Sequence, residues 1–243
     1  DGWRAVASRI TVFKTGLEPE YKQLEDRDWK ESSKDHFTAW HSGPVHWVPV
    51  WERDTYKLPP GHVAIWLDPG MAFGTGNHET TRLCLERMTD LMAEIQGKPG
   101  GTSACRVIDA GSGSGILSLS AAALGLQPVR GFDLDPESVR VSRENARLNG
   151  LAVRVEFVEA DLEDGLRGDP GDLVLANILA NVLVREKERL LAAVAPGGRL
   201  VLSGILAVEV DAVRAAFEGV EPGLHYSSRT MGEWADLLVL RSA

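Results

Sequence analysis

The sequence predicts an α/β fold: a largely parallel sheet wrapped by helices on both faces, with an antiparallel hairpin closing one edge. Three observations carry that prediction. From Cys105 onward, short apolar runs alternate with segments of helical period, the pattern of parallel strands joined by helical crossovers. The connections are short, and right-handed crossovers then leave few topologies. At the end of the chain, Leu224–Ser227 and Trp234–Leu240 are separated by a turn at Gly232, which reads as a hairpin.

In chain order, Val6–Phe13, Val45–Trp51 and His62–Leu67 read as strands, with a charged helix around Glu20–Phe37. Residues 77–96 read as a helix, because Cys84, Met88, Leu91, Met92 and Ile95 fall on one apolar stripe, at i, i+4, i+7, i+8 and i+11. That stripe is core packing. Gly97–Ser103 is the clearest loop, rich in glycine and proline. Beyond it, strands are expected at Cys105–Ala110, Val129–Asp133, Val153–Val158, Leu173–Ala176, Arg199–Leu202 and Leu237–Leu240. Helices are expected at Ile116–Leu124, Pro136–Asn149, Leu179–Val194 and Val208–Phe217. The chain thus divides into a small N-terminal segment (1–45), a connecting stretch with a glycine-rich loop and a helix (46–103), and a core (104–243).

Composition excludes several function classes. With 243 residues, 44% of them hydrophobic and 25% charged, the chain can bury a core without metal or disulfide staples. Six of the seven tryptophans lie in the first 66 residues and read as structural. Cys84 and Cys105 match no metal or redox spacing, which favours a reduced, cytoplasmic setting. The longest apolar stretch, Leu173–Val184, has 12 residues and is interrupted by Asn177 and Asn181, too short and polar to span a bilayer. No basic segment followed by an apolar one opens the sequence, so secretion is not expected. The net charge of −9 is the wrong sign for a non-specific nucleic-acid binder and suits a basic protein or a small molecule. None of the six histidines has zinc-site spacing and no G-x-S-x-G elbow occurs, so neither a metal site nor a nucleophilic centre is expected.

The chemistry is concentrated at successive strand ends. The first signal is Asp109-Ala110-Gly111-Ser112-Gly113-Ser114-Gly115, after an apolar strand and at the start of a helix. Glycines there let the backbone turn sharply and a ligand approach closely. A dinucleotide fingerprint is G-x-G-x-x-G, whereas this loop is G-x-G-x-G with an acid before it. A carboxylate at that point would repel a pyrophosphate but suits a ligand bearing an ammonium group, such as S-adenosylmethionine. The second signal is Asp133, 22 residues after Gly111, where an acid can accept hydrogen bonds from a ribose diol. Asp135, directly before Pro136, is the better cap of the next helix. Asp161, after the third strand, could accept from an adenine amino group or cap the turn that follows. Asn177 ends the fourth strand, where its side-chain oxygen can orient an amine toward a methyl group.

These residues resemble a known family. Asp109-x-Gly111-x-Gly113-x-Gly115 with Asp133 is similar to class I S-adenosylmethionine-dependent methyltransferases, which have a Rossmann-like, seven-stranded sheet. More specifically, Leu67–Thr81, Ala176–Ala180 and Leu202–Leu206 resemble the PrmA family, which methylates ribosomal protein L11. The resemblance runs from about Trp47 to the C-terminus, and the Phe73–Thr81 block is its distinctive part. It implies methylation of lysine ε-amines and an α-amine without metal, and cofactor contacts at Thr81, Gly111, Asp133 and Asn177. The Phe73–Thr81 loop, including Phe73 and Thr75, would cover the methionine end of the cofactor. The family carries a separate N-terminal recognition domain, of which the roughly 45 residues preceding the match could supply at most a fragment. The expected partner is therefore a basic protein, ribosomal protein L11, with no membrane and no direct nucleic-acid binding. Two rival classes remain. A nucleic-acid or small-molecule methyltransferase of the same fold is one, though a base methyltransferase would show Asn-Pro-Pro-aromatic where Asn177 is followed by Ile178 and Leu179. A non-catalytic cofactor-binding module is the other.

Overall fold

The computed structural model describes residues 38–67, 78–95 and 104–242. The strand expected at Val6–Phe13, the helix at Glu20–Phe37, and Phe73 and Thr75 lie outside the described residues.

A small sheet comes first. Strands β1 (Trp40–Ser42) and β2 (Val45–Pro49) are antiparallel, and β3 (Val63–Leu67) runs parallel to β2. Helix α1 (Glu79–Ile95) follows and buries Cys84, Met88 and Leu91, most of the stripe read from its periodicity, together with Leu83 and Leu85. The main sheet comprises β4 (Val107–Ala110), β5 (Val129–Asp133), β6 (Val155–Glu159), β7 (Gly171–Asn177), β8 (Val194–Leu206), β9 (His225–Met231) and β10 (Trp234–Leu240). Between them lie α2 (Ile116–Ala123), α3 (Pro136–Leu148), α4 (Leu162–Gly165), α5 (Ala180–Arg185), α6 (Lys187–Ala192) and α7 (Val210–Glu218).

The strand order is β6-β5-β4-β7-β8-β10-β9. The first five strands are mutually parallel, and β10 is antiparallel to both β8 and β9. The side-chain period of two divides the core between the faces. Val107, Val129, Leu173, Leu175 and Val201 join Leu85, Met88, Leu117 and Val139 on one side. Ile108, Phe132, Val174, Ala176 and Leu202 join Leu183, Leu190, Val213 and Phe217 on the other. Both faces are covered, as a parallel sheet requires.

The small sheet belongs to the first of these cores. Trp40, Val45, Trp47, Ile65 and Leu67 are buried in it. The Trp47 indole donates to Ser120 Oγ on α2 at 2.7 Å. Asn149, after α3, accepts from the Trp66 N–H and donates to its carbonyl, each at 2.7 Å.

One expected helix differs. The segment Leu179–Val194 forms two short helices meeting at Glu186, whose carboxylate accepts from both Arg185 and Arg189. Its last residue opens β8 instead, because Val194 pairs with Gly171 at the start of β7. That pairing is long-range and has no local sequence signal.

Candidate active site

The order of the sheet reverses between β4 and β7, since the chain leaves β4 toward β5 and later returns to β4's other side. A crevice opens at such a switch point, outside the carboxyl ends of the strands. Here it is a cavity of about 920 Å³, within the size range of small-ligand sites.

The glycine loop after β4 forms its floor. Gly111 has φ +77°, and a β-carbon there would lie 2.6 Å from Ile178 Cγ2. A side chain would therefore push the loop after β7 away. The loop is clamped to the end of β5: Gly111 and Ser112 both donate to the Phe132 carbonyl at 2.9 Å, and Gly113 donates to Asp133 Oδ2 at 2.9 Å. Asp133 also accepts from the Asp135 N–H at 3.0 Å. It lines the cavity, so it holds the loop and faces the ligand space together. Asp135 caps α3 as expected, accepting from Glu137 and Ser138.

Asp161 lines the cavity and also caps α4, accepting from the Asp164 N–H at 2.8 Å. Of the two roles weighed from sequence, the cap is formed, and the residue lies on the cavity wall. Asn177 ends β7 on the cavity wall, and its Nδ2 donates to Thr81 Oγ1 at 3.3 Å. Its Oδ1 has no hydrogen-bond partner among the described residues. Thr81 is only 1% exposed and stands behind Asn177, while its neighbour Thr80 faces the cavity.

Asp109 is placed differently from the cofactor-facing position expected. It is 1% exposed and is not among the residues facing the cavity. It sits beneath the loop, where Oδ2 accepts from the Ser118 N–H (3.1 Å) and hydroxyl (2.7 Å). Oδ1 has no partner among the described residues. Burial pushes its carboxyl up to about 6, against the two Ser118 hydrogen bonds that favour ionisation.

The structure adds wall residues that local reading missed. His78 and Trp234 stand edge to face at the cavity mouth, ring centroids 4.9 Å apart. Trp234 comes from β10, far along the chain, and no local signal placed it here. Arg185 and Arg189 also line the cavity, but ion pairs with Glu186 and Glu163 offset their charge. Among the described residues, no group of three His, Cys, Asp or Glu is placed to hold a metal ion, and no helix is long and apolar enough to cross a membrane. Both cysteines are buried. Burial pushes their thiols up, Cys105 to about 11, which makes them poor nucleophiles.

These donors and acceptors fit S-adenosylmethionine. Acids follow two successive strands on the cavity wall, the Asn177 amide lines it as well, and apolar side chains such as Phe132, Ile178 and Leu179 complete the lining.

Comparisons with known proteins agree. The family described as "Ribosomal protein L11 methyltransferase (PrmA)" matches residues 4–242, reaching upstream of Trp47, where the recognisable motifs begin. The chain is similar to the ribosomal protein L11 methyltransferase of Geobacter metallireducens, 44% identical over 224 residues, 90% of this chain and 68% of that protein. It is likewise similar to that of Trichlorobacter lovleyi, 42% identical over 217 residues, 89% of this chain and 68% of that one. The crystal structure of ribosomal protein L11 methylase from Lactobacillus delbrueckii subsp. bulgaricus superposes with a TM-score of 0.72 at 30% identity, covering 85% of this chain and all of that chain. A switch-point cavity with acids at its strand ends, a glycine loop under it and this degree of likeness establish that the chain belongs to the PrmA family of class I S-adenosylmethionine-dependent methyltransferases.

Proposed function

We propose that this enzyme methylates lysine ε-amines and/or an α-amine of ribosomal protein L11, in the cytoplasm. The observation that supports the reading is Asn177, held by Thr81 on the cavity wall, in a chain whose relatives are named for that substrate.

S-adenosylmethionine, when bound, supplies a methyl group on a positively charged sulfur. Asp133 would accept from the ribose hydroxyls and Asp161 from the adenine amino group. Gly111 and Gly113 would let the loop backbone approach the cofactor closely. Phe73 and Thr75 are proposed to cover its methionine end. At the acceptor end, Asn177 Oδ1 accepts a hydrogen from the incoming amine and aims its lone pair, so the rate comes from proximity and orientation. The amine must react neutral, whereas a free lysine has a pKa of about 10.4. Withdrawal from water beside His78 and Trp234 lowers that value. Thr81 contributes through Asn177.

The test is intact-mass analysis of purified ribosomal protein L11 after incubation with the enzyme and S-adenosylmethionine. Mass gains in steps of one methyl group, lost in Asn177→Ala, are expected. No gain in this acceptor, together with methylation of a nucleic acid when the enzyme and cofactor are added to a cell lysate, overturns the substrate assignment.

A further inference from the structure

A second cavity, of about 710 Å³, lies at the opposite ends of the strands, where β4, β5 and β6 begin. It is separated from the methyl-transfer site by about 15 Å, the length of a five-residue strand. Six arginines line it: Arg106, Arg130, Arg143, Arg147, Arg154 and Arg167. The acids in its lining are Glu156 and Asp169. In a protein of net charge −9, the local balance is reversed.

The arginines divide by what they do. Arg167 is offset by Glu163 and Asp164, and Arg106 by Asp169 at 3.4 Å. Arg130 and Arg143 donate to backbone carbonyls, those of Arg167 and Phe157. Those bonds fix the guanidinium groups in place. Arg130 also stands directly across from Glu156 in the β5–β6 register, which offsets its charge, whereas Arg143 has no acid paired with it among the described residues. The Arg147 and Arg154 side chains have no partner among the described residues. Arg143 and Arg147 are four apart on α3, so they share a face and repel each other. Arg143, Arg147 and Arg154 are left as three like charges with no acid paired to them among the described residues, and such a cluster is stabilised by an anion. The guanidinium fork matches phosphate oxygens in pairs. The volume is that of a small-molecule site.

We infer that this cavity binds a small ligand carrying two or more phosphates, at a site independent of the cofactor. Arg143 forms its fixed part, and Arg147 and Arg154 close on the phosphates.

The experiment is calorimetric titration of the full chain at low salt with inorganic tripolyphosphate and, separately, with ATP. Saturable one-to-one binding of both is expected, weakened at least about 10-fold in Arg147→Ala/Arg154→Ala. These exposed, unpartnered side chains can be removed without loss of structure, and S-adenosylmethionine affinity serves as the control and should not change. Absence of saturation, or equal affinity in the double variant, overturns the site. Equal affinity for sulfate reduces it to non-specific anion attraction. A single-stranded RNA that binds more tightly per phosphate than tripolyphosphate overturns the small-ligand assignment.

Discussion

Asp133, Asn177 and Thr81 differ in how directly each meets a ligand, and their variants should differ accordingly. Losing a hydrogen bond to a charged group costs about 1.5–3 kcal/mol, so Asp133→Ala should weaken cofactor binding roughly 10- to 150-fold by calorimetry. Part of that loss comes from freeing the Gly113 N–H that Asp133 holds. Asn177→Ala should lower kcat far more than cofactor affinity, the mark of an interaction made in the transition state. Thr81→Val removes the acceptor that fixes the Asn177 amide. It should lower kcat in the same way, with Thr81→Ser restoring it. Unchanged single-turnover rates in Thr81→Val would show that Asn177 needs no such support. Asp109 predicts a pH effect. Its carboxyl is raised from 3.8 to about 6 in the fold. Between those values the folded state holds a proton that the unfolded chain releases, so stability falls as pH rises through the window and then levels off. Asp109→Asn mimics the protonated acid. Urea unfolding from about pH 4 to pH 7 should show the variant gaining on the parent by about 2 kcal/mol. A gap that does not change with pH would mean the buried carboxyl does not titrate there.

At the scale of elements, the site depends on contacts that join segments far apart in sequence. Helix α1, which carries Thr80 and Thr81, is tied to the C-terminal hairpin by Arg87, whose guanidinium pairs with both Asp236 oxygens at 2.7 and 2.8 Å. Arg87 also donates to the Ser227 hydroxyl and carbonyl. Asp236 is wholly buried, so Arg87→Ala would strand a carboxylate and should cost about 3–5 kcal/mol in chemical denaturation. The same loss would loosen the wall between Thr80 on α1 and Trp234 on β10. Gly204 on β8 sets the loop after β7 from the other side. Its φ is +78°, and a β-carbon would lie 2.4 Å from the Ile178 carbonyl. Gly204→Ala should therefore displace Asn177 and Ile178, reducing methyl transfer at least about 10-fold with a smaller effect on cofactor binding.

For the whole molecule, the excess of acid over base is a field that steers a basic acceptor without touching the chemistry. Exposed charges are screened beyond about 8 Å at physiological ionic strength and about 3 Å at 1 M. Raising salt should lower kcat/KM for ribosomal protein L11 roughly 10-fold while leaving kcat at saturation nearly unchanged. A salt-independent kcat/KM would remove steering from the account. The two cavities lie at opposite ends of the same parallel strands, so occupation of one does not block the other.

Local sequence determined the features whose causes are local. Period-two strands and period-3.6 helices follow from which side chains must be buried, and the main sheet and most of its helices were legible on that ground. Glycine spacing, the Asp135 cap, and Asp133, Asp161 and Asn177 at strand ends were legible because a strand's end and a sharp turn both leave residue-level marks. Tertiary structure decided what depends on long-range pairing. It split the helix after β7 and opened β8 at Val194, because Val194 meets Gly171. It turned Asp109 beneath the glycine loop, since Ser118 on α2 offers it two hydrogen bonds there. It put Thr81 behind Asn177, brought Trp234 to the cavity mouth, and gathered arginines from five segments into one cleft. A side chain's chemistry is written at its own position, but its neighbours are set by the topology of the sheet.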